Sequence, residues 1–207
     1  MNKMPPIESL LCLLEDPDES IYKPASEQLI NHGRDVVPEL EAAWEQSLDI
    51  LLQERIEEII HRIQFSSTLK QLEKWTTEGG KNLMEGAWLV ARFQYPDLEF
   101  RSIQHTVHKL KQDVWLELND NMTALEQIRV VNHILFQIHG FHGNSSNFYA
   151  PQNSFINDVL SSQKGNPISL ALIYLYIVQE LNIPVYGVDL PKNFILAYLD
   201  EYAFTDE

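Results

Sequence analysis

Ser169, four histidines and Cys12 are the side chains whose type and spacing could supply a nucleophile, a base or metal ligands. His139-x-x-His142 has a spacing that metal ligands use. Gly140 separates the two, however, and no Cys or acid close in sequence completes the three or four donors a site needs, so no metal is expected. His105 and His108 lie three apart in an amphipathic run, as residues on a solvated helix face do. Ser169 sits just inside a helix start, where it could act as a nucleophile if a base reached it. Its competing role is structural, a small helix residue bonding back to the first turn. Cys12, inside LLCLLE, is expected to be a small buried apolar side chain. No Gly-rich phosphate loop, nucleophile elbow or basic aromatic stripe is present, and no cofactor is implied.

Thirty acidic residues against fifteen Lys and Arg leave 207 residues with a formal charge of −15. A chain so acidic repels phosphate backbones and anionic lipid heads, so neither nucleic acid nor a membrane surface is an expected partner. The longest apolar run, Ile168 to Val178, is far short of the roughly 18 residues a bilayer span needs. The opening MNKMPPIESLLCLLEDPDE is interrupted by acids and does not read as a signal peptide. One Cys excludes an intramolecular disulfide and any multi-cysteine metal site. These features point to a cytoplasmic location.

The elements that must position any chemistry are mostly helices. Up to about Phe65 apolar residues recur three or four apart: Leu10, Leu11, Leu14, then Ile21, Ala25, Leu29, then Leu48, Leu51, Leu52, Ile56, Ile59, Ile60 and Ile63. Asp16-Pro17-Asp18 offers a turn and a helix start, Gly33 a stop, and Asp35 a cap for a helix that tolerates Pro38 in its first turn. The spacing resembles one to two HEAT-like repeats. Gly79-Gly80 marks a joint, which sets a helical segment, residues 1–78, apart from residues 79–207. Beyond it, helices are expected up to Phe93, from about Leu98 to Leu118, and from a Thr123 cap to Ile138. GFHGNSSNFYAPQ, Gly140 to Gln152, reads as an ordered loop with Phe141, Phe148 and Tyr149 as its own anchors. A short helix at Ser154 to Leu160 follows. Asn166 then caps a helix with Pro167 in its first turn; being apolar all round, that helix should be central and buried. Pro184 to Leu190 and Asn193 to Leu199 are strand candidates joined by the Pro191-Lys192 turn.

GAWLVARFQYPDLEF, GFHGNSSNFYAPQNSFINDVL and GNPISLALIYLYIVQELNIPVYGVDLPKNFILAY, spanning about Met84 to Tyr198, resemble the SirB-type, YchA-like branch of the transglutaminase-like proteins. The resemblance implies an α+β fold that is predominantly α-helical. Helical N-terminal hairpins would precede a transglutaminase-like, papain-like core with a buried central helix and a small antiparallel sheet. It further implies strand and helix segments beyond the motif, so that residues 79–207 would lack a C-terminal continuation. In the superfamily's enzymes a Cys two residues after a Gly opens the buried helix, a His lies on the following strand and an Asp on the next. A thiolate favoured by the helix start, with a His–carboxylate pair to shuttle protons, is suited to acyl transfer. Carried onto this chain, Gly165 matches the Gly, Asn166 the intervening residue, and the Cys position holds Pro167. The His position, within a Pro-Gly-His-Phe stretch in the group, is Asn193. Proline carries no nucleophile, and Asn does not shuttle protons near neutral pH.

The expectation is therefore a catalytically silent domain that binds a protein or peptide partner in the old groove, formed by Gly165, Asn166, Pro167, Ser169 and Asn193. A carboxylate or a peptide carbonyl would be a reasonable guest for the helix start. One alternative is a hydrolase or amidase in which Ser169 attacks and Asn193 polarises the carbonyl; another is a helical-repeat interaction module. The residues do not set the oligomeric state.

Overall fold

A computed structural model describes residues 6–191 and 193–199. Lys192 of the expected turn, residues 1–5 and residues 200–207 lie outside the described residues. The protein is predominantly α-helical with a small antiparallel sheet, an α+β fold, and it divides into two compact units, Met1–Lys74 and Trp75–Glu207.

In the first unit helices α1 (Ile7–Leu13), α2 (Glu19–His32), α3 (Val37–Gln46) and α4 (Ile50–Thr77) bury Leu10, Leu14, Leu29, Leu40, Ile56, Ile59 and Ile63 together. Asp18 caps α2 by accepting from the Ser20 N–H at 2.8 Å, and Gly33 ends it at a φ of +73°, a conformation glycine adopts without strain. Asp35 does not cap α3. A 3-10 turn, Gly33–Val36, leads directly into that helix and leaves Val36 at the cap position without a side-chain bond. Arg55 donates to the Leu14 and Asp16 carbonyls at 2.6 and 2.7 Å and lies over the Tyr22 ring, satisfying acceptors that the end of α1 leaves open.

Three further expectations change in this unit. The last helix does not stop near Phe65: from Ser66 to Trp75 the chain has no Gly or Pro, so α4 continues towards the Gly79-Gly80 joint. Leu48 is 98% exposed because it precedes α4 rather than riding on its inner face. Cys12 is exposed, since α1 turns Leu10 and Leu14 inward and one full helical step cannot bring the residue midway between them to the same side.

In the second unit α5 (Leu83–Ala91), α6 (Phe100–Glu117), α7 (Ala124–Asn132) and α8 (Ile156–Ser162) surround α9 (Pro167–Glu180). Thr123 starts α7 with a reciprocal capping box to Glu126. The expected helix up to Ile138 changes pitch: residues His133–Ile138 form a π turn, closed by the His139 N–H on the Ile134 carbonyl at 2.9 Å. The next helix starts later than expected, because Pro151–Ser154 forms its own 3-10 turn before α8. Helix α9 packs against α5, α6, α8 and the ribbon of β3 (Val185–Leu190) and β4 (Asn193–Tyr198), which pair antiparallel from Val185–Tyr198 to Leu190–Asn193. It buries Ala171, Ile173, Tyr174, Leu175, Ile177 and Val178, while its first apolar residue, Ile168, stays exposed. A parallel pairing of β1 (His142–Gly143) with β2 (Lys164–Gly165) is too short to have left a periodic signal.

Tyr174 is buried in α9 with Phe136 stacked against it, and burial pushes its phenol up from 10.0 to about 12. The folded state therefore holds this proton longer than the unfolded chain does. The resulting stability loss sets in above pH 10.0 and deepens until about 12, with no effect below. Unfolding curves of Tyr174→Phe should fall less steeply than those of the native protein across that alkaline window. Cys12→Ser should shift the transition by no more than about 0.5 kcal/mol, as exposed substitutions do; a larger loss in urea titration would place Cys12 inside the core.

Candidate functional site

Helix α9 starts where the chain is most tightly tied. Asn166 accepts from the Ser169 N–H at 2.8 Å, and the Ser169 hydroxyl oxygen accepts from the Asn166 N–H at 3.0 Å, a complete capping box. Asn166 Nδ2 also donates to the Ser154 hydroxyl at 2.9 Å. Ser169 is 3% exposed, and its hydroxyl donates to the Asn153 carbonyl at 2.7 Å. The structural role of Ser169 thus prevails over the nucleophilic one, because both its proton and its lone pairs serve the cap. Gly165 lies directly beneath: a Cβ built there would come within 2.6 Å of the Ser169 hydroxyl.

The loop before α8 hangs on Asn153, which the sequence did not single out. Its buried Nδ2 donates to the carbonyls of Asn147 and Phe148 at 2.8 and 3.0 Å, and its Oδ1 accepts from Asn144 Nδ2 at 2.8 Å. Its own carbonyl takes bonds from Ser169 and, at 3.2 Å, from the Asn166 N–H. The strand pairing adds the His142 N–H on the Gln163 carbonyl and the Asn144 N–H on the Gly165 carbonyl, so the loop's first limb is tied to β2. Of the expected apolar anchors only Phe141 is buried. Phe148 and Tyr149 stand out in solvent at 56% and 92% exposure, edge to face 5.2 Å apart.

These rings form one wall of a groove of about 560 Å³. Asn166, Pro167 and Ile168 line it at the start of α9, and Asp189, Leu190, Asn193 and Phe194 line it from the ribbon. Phe194 lies over Gly187, where a Cβ would meet the ring at 2.5 Å. The structure thus brings Asn166, Pro167 and Asn193 to one groove, whereas Gly165 and Ser169 do not line it: both are buried under the cap, beneath its floor. Among the described residues that line it, none is a His or Cys.

The four candidate histidines do not line the groove. His139 Nε2 donates to the Asp113 carboxylate at 2.9 Å, a contact the π turn sets up, and His142 Nδ1 donates to the Gly140 carbonyl at 2.7 Å. His105 and His108 are exposed on α6, as the solvated-face reading expects. Among the described residues no group of three or more His, Cys, Asp or Glu is placed to hold a metal ion.

Asn153→Ala should cost about 2–4 kcal/mol, because two carbonyls and an amide lose their buried partner. Asn153→Asp should cost at least as much, since a carboxylate would face the two carbonyls without a proton to give. Chemical denaturation checks both, and a neutral result for either would remove Asn153 from the centre of this loop.

The comparisons with known proteins agree with the fold. A family model described as the transglutaminase-like superfamily matches residues 101–205. The UPF0162 protein of Xylella fastidiosa strain Temecula1 is 36% identical over 114 residues, which are 55% of this chain and 41% of that relative. The UPF0162 protein of Pasteurella multocida is 31% identical over 80 residues, 39% of this chain and 30% of the relative. F-box only protein 21 of Mus musculus is 26% identical over 140 residues, 57% of this chain and 22% of the relative. The chain therefore spans well under half the length of these relatives. No solved structure matches it. With the family model covering about half of its residues, the chain belongs to the transglutaminase-like superfamily.

Proposed function

We propose that this protein is a catalytically silent transglutaminase-like domain that binds a peptide segment of a protein partner in the groove at the start of α9. One observation carries the reading. The two positions that the family resemblance assigns to the catalytic Cys and His open on the same groove, and they hold Pro167 and Asn193. The groove is present, while neither of these two positions carries the thiol that would attack a carbonyl or the imidazole that would move its proton. Its volume lies within the range of ordinary ligand sites, roughly 300–1,000 Å³. We place the chain in the SirB-type branch on its ordered sequence blocks, and in the cytoplasm on its acidity and single Cys. We assign residues 1–78 to a separate helical segment.

The serine-hydrolase alternative is disfavoured by the position of Ser169. Its hydroxyl is bonded to Asn153 and Asn166 beneath the groove floor, and an attacking hydroxyl must face the substrate.

The test is a screen of amide and ester substrates on the native protein, on Pro167→Cys, and on Pro167→Cys combined with Asn193→His. No turnover is expected in the first two. At most a trace is expected in the third, because groups that act as a unit restore little when put back without their supporting contacts. Turnover by the native protein that Ser169→Ala abolishes would replace the binding module with a serine enzyme.

A further inference from the structure

We infer that the groove selects a peptide segment carrying a Lys or Arg side chain, held between the Phe148–Tyr149 pair and the Asp189 carboxylate. The inference rests on the binding-module reading and names the chemistry of its ligand.

The start of a helix ordinarily attracts anions through its unpaired N–H groups. Here that capacity is largely used up. Pro167 has no N–H, the Ser169 N–H is bonded to Asn166 Oδ1, and the Leu170 N–H is bonded to the Asn166 carbonyl at 3.1 Å. Ile168 is left as the one first-turn position through which the helix could donate into the groove. The Asn166 amide is already engaged, donating to the Ser154 hydroxyl. A carboxylate entering the groove would therefore meet little of the usual cradle. It would also meet Asp189, the one charged side chain among the described residues lining the groove, on a chain of net charge −15. The Asp189 carboxylate and the net charge of the chain each favour a cation.

The walls favour the same guest. Phe148 and Tyr149 are large, exposed rings on a backbone pinned by Asn153 at the Asn147 and Phe148 carbonyls. Exposed aromatics on a pre-organised loop are typical anchors for a partner, because little entropy is lost when they engage it. A Lys or Arg side chain presents an alkyl stem to such rings and a charge to their faces. Leu190, Ile168 and Pro151 supply apolar surface for the flanking residues of the segment.

The experiment uses the full chain and labelled hexapeptides with leucine on either side of one variable position: Lys, Arg, norleucine or Glu. Fluorescence anisotropy reads binding. Lys and Arg peptides should bind about tenfold more tightly than the norleucine peptide, with the Glu peptide weakest. Asp189→Asn should erase most of that preference. Glu27→Gln, which removes the same charge from an exposed site in the first unit, should leave it in place and so exclude a purely global attraction. Tyr149→Ala should weaken the Lys and Arg peptides without unfolding the protein, which circular dichroism checks. If all four peptides bind alike, or Glu27→Gln lowers the preference as much as Asp189→Asn, the cation inference fails while the binding module stands. If no peptide binds, both fail.

Discussion

The groove of the second unit depends on one buried amide. Asn153 uses its side chain to hold the backbone of the aromatic loop and its carbonyl to hold the start of α9, so a single residue fixes the distance between wall and floor of the groove. Burying an amide is unfavourable unless its donors and acceptor are met, and here they are met by the Asn147 and Phe148 carbonyls and the Asn144 amide. The satisfaction is mutual. Releasing the loop would strand the amide, and losing the amide would strand the loop, which makes the arrangement all or none rather than graded. The capping box at Asn166 and Ser169 belongs to the same network, because Ser169 gives Asn153 its proton while taking the Asn166 N–H.

Much of this fold was legible because it is written in local signals. The Thr123 and Asn166 caps, the Gly33 stop, the apolar run of α9 and the two strands of the ribbon each follow from a few adjacent residues. Features that depend on partners distant in sequence were not legible. Asn153 lies one residue past the stretch whose composition marked a loop, and an Asn beside a Ser carries no sign of burial. The loop was instead expected to be anchored by its aromatics. Phe141 obeys that expectation, while Phe148 and Tyr149 reverse it, since a polar anchor frees rings to face solvent. Cys12 failed for a different reason: two leucines before it and two after it in LLCLLE give no single face, so periodicity alone could not say which side was inner. The π turn left no trace because a local change of helical pitch has no residue-type signature in HILFQI.

At the site, the resemblance was most useful for what it located rather than for what it promised. It directed attention to Pro167 and Asn193, which meet in one groove although 26 positions separate them. It also drew in Gly165 and Ser169, which belong to the same sequence block but sit under the floor. Adjacent residues at a helix start point in different directions, so a block of sequence does not translate into a block of surface. Gly165 and Ser169 are better understood as a packed pair: the Ser169 hydroxyl occupies space that a Cβ on residue 165 would need.

Pro167 has a consequence on the timescale of descent. Proline at the first position of a helix suits the backbone there and limits the freedom of the unfolded chain, an advantage of about 0.4–1 kcal/mol over most other residues. On the proposed reading, in which residue 167 is the nucleophile's position, a lineage that acquires it gains stability in the step that removes the nucleophile. Returning would require giving up that stability at once, before any catalytic benefit could appear, because a thiol alone without a base opposite does not turn over substrate. The substitution therefore acts as a ratchet: loss of chemistry is downhill in a single mutation, while its recovery needs at least two simultaneous changes across the groove and begins with a penalty.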